Sequence, residues 1–147
     1  MGEVLSRPLI RILEQTGWLV DLVTAVPAGV VRQAERGYNQ AALLAWPVAF
    51  ACSLPYRPKA LFKIRDTRSQ VGLNRLERRQ NVQLAFRARD ELVAGRKVLV
   101  IDDVATSGAT LDACTQALLD AGAVQVFSLT LARAKFATME DQTQTEV

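Results

Sequence analysis

The sequence contains no histidine and only two cysteines, and both shortages restrict the chemistry available to the chain. Without an imidazole, Ser–His–Asp and Cys–His nucleophilic catalysis are excluded, as are most zinc hydrolase designs. Cys52 and Cys114 stand alone in apolar surroundings, which is typical of small core residues and not of a disulfide or a zinc pair. Isolated thiols of this kind predict a reducing, cytoplasmic environment.

Long hydrophobic runs, internal repeats and low-complexity segments are also missing. Because no apolar stretch approaches the roughly 20 residues that span a bilayer, we expect no membrane insertion. Half of the 147 residues are hydrophobic and 22% are charged, which is the composition of one compact globular domain. We place this domain at residues 1–135 and interpret residues 136–147 as a polar C-terminal tail.

Positive charge is concentrated in one part of the chain, although the formal net charge is only +3. The stretch from Arg57 to Arg89 holds ten basic and two acidic residues. The basic residues are Arg57, Lys59, Lys63, Arg65, Arg68, Arg75, Arg78, Arg79, Arg87 and Arg89. A solvated surface would explain this cluster, and so would a site for phosphate groups or nucleic acid.

The most informative segment runs from residue 97 to residue 122. Val98 to Ile101 is an unbroken apolar run, as expected for a central strand of a parallel sheet that is buried on both faces. Asp102 and Asp103 follow it, then small and hydroxyl residues lead to a helix that begins near Thr110. A helix N-terminus favours an anion, and paired carboxylates bind hydroxyls or hydrated Mg²⁺. The segment therefore predicts a cradle for a sugar phosphate.

The rest of the chain alternates strands with helices. We expect strands at 21–26, 60–65, 85–86, 98–101 and 124–131, helices at 2–15, 40–53 and 75–82, and a turn at 92–95. Because an interior proline removes a hydrogen bond, Pro47 predicts a kink or break near Trp46. We expect Trp18 and Trp46 to lie in the core or in an interface. The alternation indicates an α/β fold with a parallel sheet, whose ligands bind at the carboxyl ends of the strands.

Val98 to Thr110 resembles the thirteen-residue signature for phosphoribosyl pyrophosphate (PRPP) of type I phosphoribosyltransferases. Arg36-Gly-Tyr-Asn-Gln40, and the segment from Thr67 to Val82 with Ala85-Phe86 after it, resemble the ComF family of competence and GntX-like proteins. The resemblance spans Gly2 to about Ala132. It implies a phosphoribosyltransferase fold with helices on both faces of the sheet and a flexible hood loop. The N-terminal zinc segment common in that family is absent, since the chain has no CxxC pair.

The resemblance also implies a role for each matching residue. Asp102 and Asp103 would hold the ribose hydroxyls, directly or through Mg²⁺, and together with Arg68 they are the candidate catalytic residues. The loop for the 5′-phosphate would consist of Val104, Ala105, Thr106, Ser107, Gly108, Ala109 and Thr110. The pyrophosphate contacts and the hood would come from Pro27, Ala28, Gly29, Arg32, Arg36, Arg65, Gln70 and Arg75.

The implied activity is that of a pentosyltransferase enzyme. It would transfer ribose 5-phosphate from PRPP, with Mg²⁺, to a nitrogen nucleophile and release pyrophosphate. Thr106 stands where hypoxanthine–guanine enzymes are expected to have an acidic base, so the acceptor is not identified. The alternative is an accessory protein of DNA uptake, with little catalytic activity, that senses PRPP or binds single-stranded DNA or the competence machinery. A homodimer and a monomer are both compatible with the sequence.

Plainer interpretations of the same residues stay open. The acidic pair would also suit the strand end of a response regulator or of a Rossmann protein. The segment from Arg36 to Gln40 would also suit a turn with a helix cap. Gln70, Arg78 and Asn81 would also suit a surface, where Arg78 and Asn81 share one face of a helix.

Overall fold

The computed structural model describes residues 2–28, 39–64, 72, 74–105 and 108–133. Within these ranges the chain alternates helices and strands, as predicted. The elements are α1 (Gly2–Thr16), β1 (Leu22–Ala25), α2 (Gln40–Ala51), β2 (Leu61–Lys63), α3 (Arg75–Gln83), β3 (Phe86–Ala88), α4 (Asp90–Val93), β4 (Lys97–Ala105), α5 (Ala109–Asp120) and β5 (Gln125–Arg133). None of the helices in the described ranges has the length and apolar character needed to cross a membrane.

Three of the strands form a parallel sheet in the order β1–β4–β5. The central strand, β4, pairs with β1 through Leu22 and Val98, and with β5 through Lys97 and Gln125. The predicted parallel α/β sheet is therefore confirmed. Because all three strands run in the same direction, their carboxyl ends meet at one edge of the sheet, and that edge carries the acidic pair.

The sheet is buried on both faces, because alternate side chains of β4 enter different cores. Val98 and Val100 pack with residues of α5 on one face. Leu99 and Ile101 pack with residues of α1 and α2 on the other face. All four side chains are completely buried. The predicted arrangement of helices on both faces is confirmed, and it explains why the apolar run of β4 has no polar alternation.

The remaining two strands, β2 and β3, form a separate antiparallel ribbon that the sequence analysis did not predict. Its inner face is apolar at Leu61 and Phe86, which are buried in the core shared with α5. Phe62 pairs with Arg87 across the two strands, and both side chains are more exposed than Leu61 and Phe86. The ribbon therefore covers one side of α5 and presents aromatic and basic groups on its outer side.

One prediction about α2 is corrected by the structure, and another is narrowed. The helix continues through Pro47, so the predicted break near Trp46 is wrong. Proline removes only the bond to the carbonyl of Leu43, a residue that is 50% exposed, so water can satisfy that oxygen. Of the two predicted locations for Trp46, the core does not apply, because the side chain is 52% exposed and stacks on the exposed ring of Phe50. The interface stays a prediction.

The position of Trp18 agrees better with the prediction of a core or interface residue. Its ring is half-buried and stacks on Phe127 of β5, with 4.7 Å between the ring centroids. One further element differs from the prediction: the turn expected at 92–95 is preceded by the short helix α4. Asp90 and Glu91 in its first turn favour a helix N-terminus through their negative charge.

Candidate functional site

The acidic pair lies on a strand and not in the loop that follows it. The strand predicted to end at Ile101 continues to Ala105. Pairing with β5 supports this extension, since Asp102 is in register with Thr130. The polar composition of residues 102–105 concealed the extension, because a buried strand is recognised by its apolar run. The backbone of both aspartates is consequently held by the sheet.

The two carboxylates have different surroundings. Asp102 is only 8% exposed, whereas Asp103 is half-buried. Oδ1 of Asp102 accepts a hydrogen bond of 2.8 Å from the backbone N–H of Asp103. The alternation along β4 places Asp102 on the same side as Val98 and Val100, which is the side covered by α5. Asp102 is thus the more constrained member of the pair.

The charge of Asp102 affects the thiol of Cys114 on α5. Burial raises the pKa of the Cys114 thiol far above its usual range, and the Asp102 carboxylate raises it further. Cys114 belongs to the core between the sheet and α5. The effect on this thiol agrees with the side of the sheet that the strand alternation assigns to Asp102.

The N-terminus of α5 lies directly after the acidic strand end. Gly108 is the N-cap residue, is buried, and has a φ of +79°, a backbone conformation that strongly favours glycine. Glycine supplies no capping side chain, and none is seen. Ala109 and Thr110, both half-buried, form the first turn. The positive end of the helix dipole therefore points toward the segment predicted to hold the 5′-phosphate.

The carboxyl end of β1 reaches the same edge of the sheet. The backbone N–H of Val26 donates to the carbonyl of Ile101 at 2.9 Å. Pro27 and Ala28, both half-buried, therefore leave the sheet beside Asp102. Asn39 is the N-cap of α2, which confirms the helix-cap interpretation for that residue.

Arg75 is exposed and is the first residue of α3, a helix that packs against α5. Asn74 and Glu77 form a reciprocal capping box at its start, and their bonds fix the point at which the predicted hood would end. The other predicted contacts lie outside the described residues: Gly29, Arg32, Arg36, Arg65, Arg68, Gln70, Thr106 and Ser107. Their roles stay predictions, as does the hood itself.

One charged residue that affects the Cys114 thiol was not selected from the sequence. Lys63 ends β2, directly before the segment predicted to form the hood. Its ammonium lowers the pKa of the Cys114 thiol, opposing the effect of Asp102. The sequence did carry a signal, because a charged residue two positions after the buried Leu61 lies on the inward face of a strand.

Mg²⁺ fits the donor atoms at this edge of the sheet. It is usually held by one or two carboxylates together with substrate oxygens and water, and Asp102 and Asp103 are two such carboxylates. Across the described ranges, no three His, Cys, Asp or Glu side chains are grouped closely enough to hold a metal ion. The donor set therefore suits a metal that arrives with a phosphate-bearing substrate.

Comparison with known proteins agrees with this geometry. A phosphoribosyl transferase domain model matches residues 48–146. DNA utilization protein YhgH of Escherichia coli O157:H7 is 38% identical over 114 residues, covering 76% of this chain and 49% of that protein. Competence protein F of Haemophilus influenzae is 34% identical over 119 residues, covering 79% and 52% of the two chains. The chain belongs to the ComF family of type I phosphoribosyltransferase-fold proteins.

Solved structures support the same fold for this ComF-family chain. Adenine phosphoribosyltransferase from Thermoanaerobacter pseudethanolicus superposes with a TM-score of 0.58 at 15% identity, over 93% of this chain and 74% of that chain. At this level of identity the likeness concerns the fold alone, and the predicted fold class is confirmed. The chain spans about half the length of the curated relatives it matches.

Proposed function

We propose that this chain binds PRPP together with Mg²⁺ and transfers ribose 5-phosphate to a nitrogen nucleophile, with release of pyrophosphate. The main support is the position of Asp102 and Asp103 on β4, beside the entrance to α5 at Gly108. Carboxylates next to a helix N-terminus suit a ligand that carries hydroxyls at one end and a phosphate at the other. PRPP has this combination on its ribose ring.

Different parts of the site would bind different groups of PRPP. Asp102 and Asp103 would orient the ribose hydroxyls, and the first turn of α5 would hold the 5′-phosphate. The bond from C1 to the pyrophosphate oxygen breaks, a bond from C1 to nitrogen forms, and the nucleophile loses a proton to solvent. Mg²⁺, when bound, would neutralise charge on the leaving group. Exclusion of water would fall to the predicted hood with Arg68.

Calorimetric titration of PRPP in the presence of Mg²⁺ tests the binding part of this proposal. We expect Asp102→Asn and Asp103→Asn each to weaken binding by tenfold or more, because charge-assisted hydrogen bonds are worth roughly 1.5–3 kcal/mol. Asp120→Asn is the matched control, since it removes one carboxylate at the opposite end of α5, where Asp120 accepts a bond from Gln116. Equal affinities in all four proteins would overturn the site assignment.

The transfer step needs a separate measurement. Pyrophosphate release should be followed with nucleobases, amines and nucleic acid as acceptors, in the wild type and in Asp102→Asn. We expect one acceptor class to release pyrophosphate in the wild type only. If PRPP binds but no acceptor releases pyrophosphate, the chain senses PRPP and does not act as a transferase.

A second candidate function, supported by the ribbon, is binding of single-stranded DNA. The guanidinium of Arg89 lies 5.2 Å from the centroid of the Phe62 ring, and Arg87 faces Phe62 across the strands. Nucleic-acid bases stack on aromatic rings while basic groups contact the phosphates. The names of the relatives, which refer to competence and DNA utilization, favour a role in DNA uptake for this surface.

Fluorescence anisotropy with a labelled oligo-dT tests this second function. Phe62→Ala should weaken binding by about five- to 150-fold, since base stacking is worth roughly 1–3 kcal/mol per base. Arg87→Ala should weaken binding and reduce its dependence on salt. Arg7→Ala, on α1, is the control for loss of one positive charge. Binding that is insensitive to salt, or equal in Phe62→Ala and the wild type, would remove this candidate.

We also propose a cytoplasmic location. Cys52 and Cys114 are both free thiols, as expected in a reducing compartment. Fractionation of cells that produce the chain, followed by detection with an antibody, would test this location. Recovery in an oxidising compartment would contradict it.

A further inference from the structure

The helix α2 is apolar on every side, which is unusual for a helix at the surface of a protein. Eleven of its twelve residues are apolar, and none between Gln40 and Ala51 is charged. A surface helix ordinarily carries charged or polar residues on the face that water reaches, whereas a helix that is hydrophobic all round is ordinarily buried. The composition of α2 therefore predicts that its outer face is covered as well as its inner face.

Within the described part of the chain, only the inner face of α2 is covered. Leu44 and Val48 on that face are buried in the core against the sheet. On the outer face, Leu43, Trp46 and Phe50 are 50%, 52% and 75% exposed. Their spacing of three and four residues places them in one row along the helix, which we call the α2 stripe. The rings of Trp46 and Phe50 stack with 5.5 Å between their centroids, so they form one continuous apolar surface.

The α2 stripe is large enough to form the centre of an interface. An aromatic side chain has roughly 150–250 Å² of surface to bury, so at its observed exposure the stripe offers on the order of 400 Å². Two identical stripes together would bury on the order of 800 Å², and the groups that flank them along the helices raise the total toward the roughly 1,200 Å² of the smallest specific interfaces. This area matches a weak dimer that dissociates in the micromolar range.

The spacing of the α2 stripe makes it complementary to a second copy of itself. Trp46 lies at its centre, with Leu43 three residues before it and Phe50 four residues after it. A two-fold axis at Trp46, perpendicular to the helix, would place Leu43 of each copy against Phe50 of the other. Because α2 carries no charge, nothing on the helix repels an identical helix. Antiparallel pairing also places the positive end of each helix dipole beside the negative end of the other.

We propose that the α2 stripe is the interface of a homodimer, in which the two α2 helices pack antiparallel about a two-fold axis at Trp46. The proposal concerns a surface outside the PRPP site and does not rest on the proposed function. α2 begins at the edge of the sheet that carries the acidic pair, since the side chain of Asn39 bonds to the carbonyl of Val26 there. Antiparallel packing therefore places the two candidate sites at opposite ends of the helix pair.

Sedimentation equilibrium over a range of micromolar concentrations tests the dimer. The wild type should pass from the monomer mass of 16.1 kDa to twice that mass as its concentration rises. Phe50→Glu should weaken association by about tenfold or more, because it brings an unpaired charge into an apolar contact. Leu119→Glu is the matched control, since it places the same charge at a leucine of α5 that is 42% exposed. Circular dichroism checks folding, and Phe50→Ser replaces Phe50→Glu if the latter does not fold.

A pair of charge changes tests the antiparallel arrangement. Leu43→Lys and Phe50→Glu should each weaken association when introduced alone. Combined in one chain, they should restore part of the affinity, because the introduced lysine of each copy then faces the introduced glutamate of the other. A parallel arrangement would bring identical charges together, so the double variant would then associate more weakly than either single variant.

Three results together support the inference: a wild type that dimerises, a weakened Phe50→Glu variant and recovery in the double variant. A wild type that stays monomeric over the whole range overturns it, also if the α2 stripe then binds phospholipid vesicles or another protein. Equal association of Phe50→Glu and the wild type, an equal loss in Leu119→Glu, or a double variant weaker than both single variants overturns it too. Failure to bind PRPP would overturn the proposed function alone, since the sedimentation measurement uses no ligand.

Discussion

The side-chain amide of Asn39 donates a hydrogen bond of 3.2 Å to the carbonyl oxygen of Val26. The same side chain accepts bonds from the backbone N–H groups of Ala41 and Ala42 at the start of α2. One residue thus joins the carboxyl end of β1 to the helix that covers one face of the sheet. The bond therefore ties the start of α2 to the residue that follows β1.

Replacing Asn39 by Ala should lower the free energy of unfolding by about 1–2 kcal/mol, because the helix loses its N-cap and Val26 loses a donor. Urea denaturation followed by circular dichroism would measure the change. Asn39→Ser restores an oxygen that caps the helix but does not reach Val26, so it should recover only part of the loss. An Asn39→Ala protein as stable as Asn39→Ser would contradict the capping role.

Gly122→Ala should destabilise the fold by about 2–3 kcal/mol, combining the cost of a left-handed backbone with that of a tight contact. Gly122 has a φ of +101°, and an added Cβ would lie 3.2 Å from the Cβ of Ala94. Gly17→Ala is the matched control, because its φ is +71° but nothing lies within 4 Å of an added Cβ. Thermal unfolding should therefore show a clearly larger loss at Gly122, and equal losses would argue against the contact.

The two thiols should differ in reactivity with a thiol reagent at pH 8. Cys114 is completely buried, so it should react only after unfolding. Cys52 is half-buried, and its pKa is raised by burial and then by the charge of Glu14. We expect one slowly reacting thiol in the native protein, faster reaction in Glu14→Gln, and none in Cys52→Ser. Rapid native labelling of Cys114 would show that the core at α5 is open.

Stability should fall at alkaline pH because of Cys114. Burial raises its pKa in the folded state above the ordinary thiol value of 9.0, so the thiol stays protonated when the unfolded chain ionises. The stabilisation is fully present below about pH 9 and is lost as pH rises, with a slope of up to about 1.4 kcal/mol per pH unit. Denaturation between pH 8 and pH 10.5 would measure the slope, which should be shallower in Cys114→Ala. An identical slope in that variant would refute the assignment.

The sequence was most informative where one physical requirement dominates. Val98 to Ile101 had to form a strand buried on both faces, because four consecutive apolar side chains leave a strand no polar face to turn toward water. The edge of the sheet that carries the candidate site could be predicted from the common direction of the parallel strands. These elements, and the placement of Asp102, Asp103 and Gly108 at one edge, were predictable.

Other features depend on contacts between distant residues and were not predictable. The antiparallel ribbon is an example, because the sequences of β2 and β3 do not indicate that these two short strands pair with each other. Lys63 was counted as one of many basic residues, because only its position opposite Phe86 shows that it faces inward. The location of Trp46 was left open between the core and an interface for a related reason, because an aromatic residue in an apolar helix suits both until the neighbours of the helix are known.

The position of β4 at the centre of the sheet has a consequence for biosynthesis. β4, α5 and β5 are consecutive in the chain and can assemble from local contacts. In contrast, Leu22 of β1 pairs with Val98 of β4, and about half of the chain lies between these two residues. Closing so long a loop costs chain entropy before any contact compensates it. During translation, α1, β1 and α2 leave the ribosome before the strand on which they dock exists. The apolar side chains of these early elements therefore remain exposed until β4 emerges, which makes this interval the period of greatest risk for aggregation.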